Sequence, residues 1–135
     1  GAILAGPAGL IAEAVRVRQM FGGGWRPAGI PAAAGIIALE TMIDRLADDH
    51  ANARRLAGEL AAMAGIDADP AATETNIVLA RPTTMTPDAL TAGLARLEVL
   101  VLPFAGGVRL VTHHEITTDA VDTALAAFRT VLAGG

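Results

Sequence analysis

Apolar residues in this chain recur mostly at helical spacing, and three short apolar runs interrupt them. Leu10, Ala14, Val17 and Phe21 stand three or four residues apart, which predicts a helix over 10–21 that Gly22 stops. Pro27 or Pro31 can open a second helix, because proline is tolerated in a first turn. Its pattern runs to about Met63: Leu39, Met42, Ile43, Leu46, Ala53, Leu56, Leu60 and Met63 fall on one face. Glu40, Asp44, Asp48, Arg55 and Glu59 occupy the other. A helix that long can link two lobes, with a kink or break expected near Gly35. Its first part (Ile30, Ala32, Ala33, Ala34, Ile36, Ile37) is apolar on all sides, so it is expected to be buried against another subunit or an absent domain.

Beyond Met63 the rhythm changes. Residues 65–73 read as a loop, and Asn76–Ala80 as a strand closed by Arg81-Pro82. Thr86-Pro87-Asp88 is a helix start: a hydroxyl cap, proline at the first position and an acid in the first turn. Leu90, Leu94 and Leu97 give that helix its inner face. Val99–Leu102 and Val108–Thr112 are two more strands, with Gly106-Gly107 in their connection. Thr117 or Thr118 caps a last helix whose stripe is Val121, Leu125, Phe128 and Leu132. Gly1–Gly6 reads as a further short, buried strand, and so abrupt a start suggests sequence upstream. The order β-α-β-β-α from Asn76 predicts an α+β fold: a three-stranded, mostly antiparallel sheet covered by helices.

Composition narrows the function classes. A net charge of −4 and the absence of any long basic run speak against nucleic-acid binding. No apolar run approaches the roughly 20 residues a membrane span needs. GAILAGPAG lacks the positive flank of a signal peptide. There is no cysteine, hence no disulfide and no thiolate metal site, as suits a cytoplasmic protein. All ten basic residues are arginine, so no side-chain amine is present to form a Schiff base.

Chemistry concentrates in two places. Val15–Gly29 carries Arg16, Arg18 and Arg26 around a triple glycine and the only tryptophan. Glycines without Cβ atoms allow close approach of a ligand, and arginine forks suit phosphate or carboxylate. The plainer reading is a helix cap and turn with solvated arginines. The second place is Arg109, inside the apolar strand VRLVT. Alternation puts Arg109, Val111 and His113 on one face and Val108, Leu110 and Thr112 on the other. An arginine there needs an anion, Glu115 or Asp122 within the chain or a substrate carboxylate held by the fork, unless it lies on an exposed edge face. His113 and His114 on an extended backbone point opposite ways, so one is expected packed and the other exposed, and no metal site is expected from them. The H-E-x-x-H spacing is absent. His50 reads as a hydrogen-bonded structural histidine, and Asp48-Asp49 as a solvated helix face.

Three stretches, RVRQMFGGGWRPAG, IDRLADDHANARRLA and VRLVTHHEIT, occur in the order and spacing of the L-threonine aldolases, which the chain resembles along its length. These are pyridoxal-phosphate enzymes of fold type I, the aspartate-aminotransferase superfamily. The resemblance implies that this chain is the C-terminal portion of such an enzyme. Residues 1–24 would end the large cofactor domain, 25–63 would be the linking helix region, and 64–135 the small C-terminal domain. The family's Schiff-base lysine would lie in an S-K-G-L segment just before Gly1, so no covalent attachment of cofactor is possible here and no catalytic residue is assigned. Arg109 matches the arginine that binds the substrate α-carboxylate. Arg26 matches the arginine near the cofactor phosphate, reaching a neighbouring subunit's site. Gln19 and Pro27 depart from the family's usual lysine and glutamine.

The implied reaction is cleavage of L-threonine or a related β-hydroxy-α-amino acid to glycine and an aldehyde. It would be carried out by a cytoplasmic homo-oligomer, dimer or tetramer, with no nucleic-acid or membrane partner. Two other readings stand beside it: a non-catalytic α+β interaction module, and a fragment of another fold-type-I enzyme such as a β-eliminating lyase.

Overall fold

Two threonines set the helix starts that matter most. In the computed structural model, which describes residues 4–134, Thr86 Oγ1 accepts the Ala89 N–H at 3.2 Å and opens α4 (Pro87–Ala95). Thr117 Oγ1 accepts the Ala120 N–H at 3.2 Å and opens α5 (Thr118–Ala133), which decides between the two candidate caps. Each hydroxyl satisfies an N–H that the helix cannot.

The chain divides into two units, residues 1–43 and 44–135. The first holds α1 (Ala8–Met20) and α2 (Gly29–Thr41). α1 ends in a Schellman motif: Gly22 takes φ +78°, its N–H donates to Gln19 O at 3.2 Å, and the Gly23 N–H donates to Arg18 O at 2.7 Å. A Cβ on Gly23 would run into Arg18, and one on Gly24 into Gln19. These glycines therefore serve the close return of the backbone onto its own helix. None of the side chains of α1 or α2 is buried, although α2 is apolar almost throughout. The strand expected at 1–6 is not formed where it can be seen, since Leu4–Gly6 is exposed and irregular; residues 1–3 lie outside the described residues.

The expected continuous helix to Met63 is two helices, α2 and α3 (Leu46–Ala61), and Gly35 sits undisturbed inside the first. The break falls at residues 42–45, where neither glycine nor proline marks it. The Thr41 hydroxyl folds back on Ile37 O at 2.7 Å. Arg45 O then accepts the Asp48 N–H at 3.0 Å to begin α3. A hydrophobic period runs through such a break unchanged, so the pattern could not reveal it.

The second unit contains a four-stranded sheet in place of the three strands expected, all antiparallel, in the order β1-β2-β4-β3. The additional strand, β1 (Ile66–Ala68), lies in the presumed loop and pairs Ile66 with Pro82 of β2 (Ile77–Pro82). Three residues are too few to show alternation in the sequence. β3 (Leu102–Phe104) begins where the expected strand 99–102 ends. Glu98 takes φ +62° as the chain reverses after α4, and Val99 and Val101 pack against the core without pairing. β4 (Gly107–Val111) follows through a two-residue turn with φ +47° at Ala105 and +78° at Gly106, a type I′ hairpin. Gly107 starts β4 because any Cβ there would strike the Ala80 carbonyl oxygen.

One sheet face, built from Ile66, Val78, Ala80, Val108 and Leu110, is buried beneath α3 and α4, and α5 packs against both helices to complete the same core. Leu56 and Leu60 come from α3, Leu90 and Leu94 from α4, and Val121, Leu125 and Phe128 from α5. Leu97, expected inside, lies beyond the end of α4 and is exposed. The opposite face carries Ile77, Leu79, Leu102, Phe104 and Val111, all exposed.

Candidate functional site

Arg109 is the polar centre of that open apolar face. It sits on β4, opposite Leu79 of β2 on one side and Leu102 of β3 on the other. Alternation holds along β4 as the sequence implies: Val108 and Leu110 are buried, while Arg109 is half-buried and Val111 is exposed; past the strand Thr112 is buried and His113 and His114 are both exposed. Neither internal anion reaches Arg109. Asp122 pairs with Arg55, and Glu115 faces His113 at 3.8 Å. The Arg109 Nε is buried with no hydrogen-bond partner. A buried donor left unpaired costs about 1–3 kcal/mol, and this N–H is one that the unit itself leaves unsatisfied.

Beside it lies a cleft of about 480 Å³. Leu100, Leu102, Val111 and Ile116 supply apolar walls, and Arg109, Glu98 and His113 supply polar groups. Low-dielectric walls strengthen a charge-assisted bond between a guanidinium and a carboxylate.

The backbone beyond Arg109 is held firmly. Thr112 donates from N to Asn76 O at 3.0 Å and from Oγ1 to Asp49 O at 2.7 Å, and accepts Asn76 Nδ2 at 2.7 Å. The side chain of Asp49, read from the sequence as solvated, is buried; only Asp48 is exposed. Arg45 holds both Asp49 oxygens, at 2.7 and 3.0 Å. The signal for this pair was its i, i+4 spacing on a helix. Hydrogen bonding from the Arg45 guanidinium keeps the Asp49 carboxyl below the ordinary carboxylate range; burial opposes this, and the charges of Arg45, His113 and His114 add to it. A depressed folded-state value means the stabilisation is complete above the unfolded value and is lost as pH falls through the folded one. Asp49→Asn should therefore lower the melting temperature by roughly 4 °C at neutral pH. It should also flatten the acid limb of melting temperature against pH below about pH 4. Parallel acid limbs in the two proteins would remove Asp49 from that role.

Arg26 lies in the first unit, exposed in the bend after the glycine turn, and enters no ion pair among the described residues. The structure does not bring Arg26 and Arg109 together within one unit. His50 is half-buried and makes no side-chain hydrogen bond among the described residues. His113, His114 and Glu115 are all exposed, in a turn past the end of β4.

Residues 1–83 match the β-eliminating lyase family, and the chain belongs to that family. Among individual proteins it is similar to low-specificity L-threonine aldolases. It is 38% identical over 133 residues to the one from Escherichia coli K12, covering 98% of this chain and 39% of that protein. It is 33% identical over 133 residues to L-threonine aldolase 1 of Arabidopsis thaliana, covering 96% of this chain and 37% of that protein. The resemblance seen in three stretches thus extends over nearly the whole chain, which spans under two-fifths of these relatives' length.

Proposed function

We propose that this chain is the C-terminal part of a pyridoxal-phosphate-dependent aldolase that cleaves L-threonine or related β-hydroxy-α-amino acids to glycine and an aldehyde. The observation that carries the reading is the unpartnered Arg109 Nε in an apolar cleft. Such a donor fits a small carboxylate, and an amino-acid substrate supplies one. Arg109 would orient the substrate so that its Cα–Cβ bond stands across the cofactor plane. The bound cofactor would take up the electron pair that this bond releases.

The cofactor phosphate would be met by Arg26, whose exposed guanidinium beside a glycine turn suits an anion. Residues 1–24 would then close the large cofactor domain, 25–63 would link, and 64–135 would form the small domain. The apolar exterior of α2 supports a homo-oligomeric enzyme, and we place it in the cytoplasm. No helix among the described residues is long and apolar enough to cross a membrane.

The 135-residue chain has no lysine, so alone it should release no acetaldehyde from threonine, while the longer protein loaded with pyridoxal phosphate should. Acetaldehyde from the chain alone, or none from the loaded longer protein, would overturn the reading.

A further inference from the structure

We propose that the turn His113-His114-Glu115 is a binding site for one divalent transition-metal ion of the Zn²⁺ class. Two imidazoles and one carboxylate are donors such ions prefer. Strand alternation would have separated the two histidines, but β4 ends at Val111 and alternation ends with it. The chain instead turns, with the Ile116 N–H donating to His113 O at 2.7 Å. The imidazole rings stand with centroids 6.0 Å apart, inclined at 54°. One donor atom from each of the three side chains lies within 4.8 Å of the others, and His113 Nδ1 is 3.8 Å from a Glu115 oxygen. Ligand atoms around tetrahedral zinc, at bonds of about 2.0–2.1 Å, lie about 3.4 Å apart. Small side-chain rotations of exposed groups close that difference.

Two further observations favour a site here. The backbone is clamped at both ends of the turn. Thr112 is bonded to Asn76 and Asp49, and Ile116 O accepts Asn52 Nδ2 at 2.9 Å. Donors carried on a fixed backbone have less freedom to lose on binding. The neighbouring Asp49 carboxylate is buried with both oxygens engaged by Arg45, so it is not offered as a competing ligand. Three protein ligands leave a fourth position for water.

The test is calorimetric titration of chelator-stripped, full-length protein with Zn²⁺. The wild type should bind one ion more than His114→Ala, and Glu115→Gln should weaken that ion at least tenfold. His50→Ala should match the wild type. His114 is exposed, so its replacement should leave the circular-dichroism melt of the metal-free protein unchanged. Identical isotherms for the wild type and His114→Ala would overturn the site.

Discussion

Replacing Arg109 with alanine in the full-length protein should raise the dissociation constant of a substrate amino acid about 100-fold, while pyridoxal-phosphate affinity stays nearly unchanged. Arg109 stands between Leu79 and Leu102 with no internal anion, so the variant would remove a charge and a directed donor from an apolar cleft. Cutting one partner from a desolvated charge pair costs about 2–5 kcal/mol, which 100-fold, about 2.7 kcal/mol, falls within. Arg109→Lys keeps the charge and loses the fork, so it should recover only part of the affinity. Equilibrium titration with a substrate analogue, beside a cofactor titration, separates the two effects. Equal substrate affinity in the wild type and Arg109→Ala would sink the clamp assignment. A parallel loss of cofactor affinity would point to a collapsed sheet instead.

The largest effect on stability should come from Phe128→Ala. Phe128 is wholly buried, on the face of α5 that meets α3 and α4, within the core cluster they share with the sheet. Deleting an aromatic ring from such a site costs about 3–5 kcal/mol: the transfer energy of the lost atoms plus the cavity left behind. Domains of this size are stable by only about 5–15 kcal/mol, so the variant should unfold at far lower urea. Urea denaturation of the 135-residue chain, followed by circular dichroism, reads the shift in midpoint. A change below about 1 kcal/mol would mean that the core is not centred on this helix.

Much of the second unit was legible because its signals are local. Thr86-Pro87-Asp88 and Thr117 cap helices through contacts within four residues. Val121, Leu125 and Phe128 mark one helical stripe, and the stripe is the buried one. The facing of Arg109 followed from strand alternation alone. Other features depended on partners distant in sequence. β1 exists because β2 offers it an edge, and three residues carry no period of their own. Asp49 is buried because the start of α3 lies against the segment just past β4, where its carbonyl receives the Thr112 hydroxyl; its place beside Asp48 in the sequence suggested solvent.

The sequence by itself determined the start of α4, the inward stripe of α5, the side of the sheet that Arg109 takes and the resemblance that points to its ligand. Each of these follows from spacing along the chain. Only the tertiary structure decided the fourth strand, the break at residues 42–45, the missing partner of Arg109 and the gathering of His113, His114 and Glu115. Those outcomes depend on which backbone edges and side chains meet through space, and spacing carries no record of that.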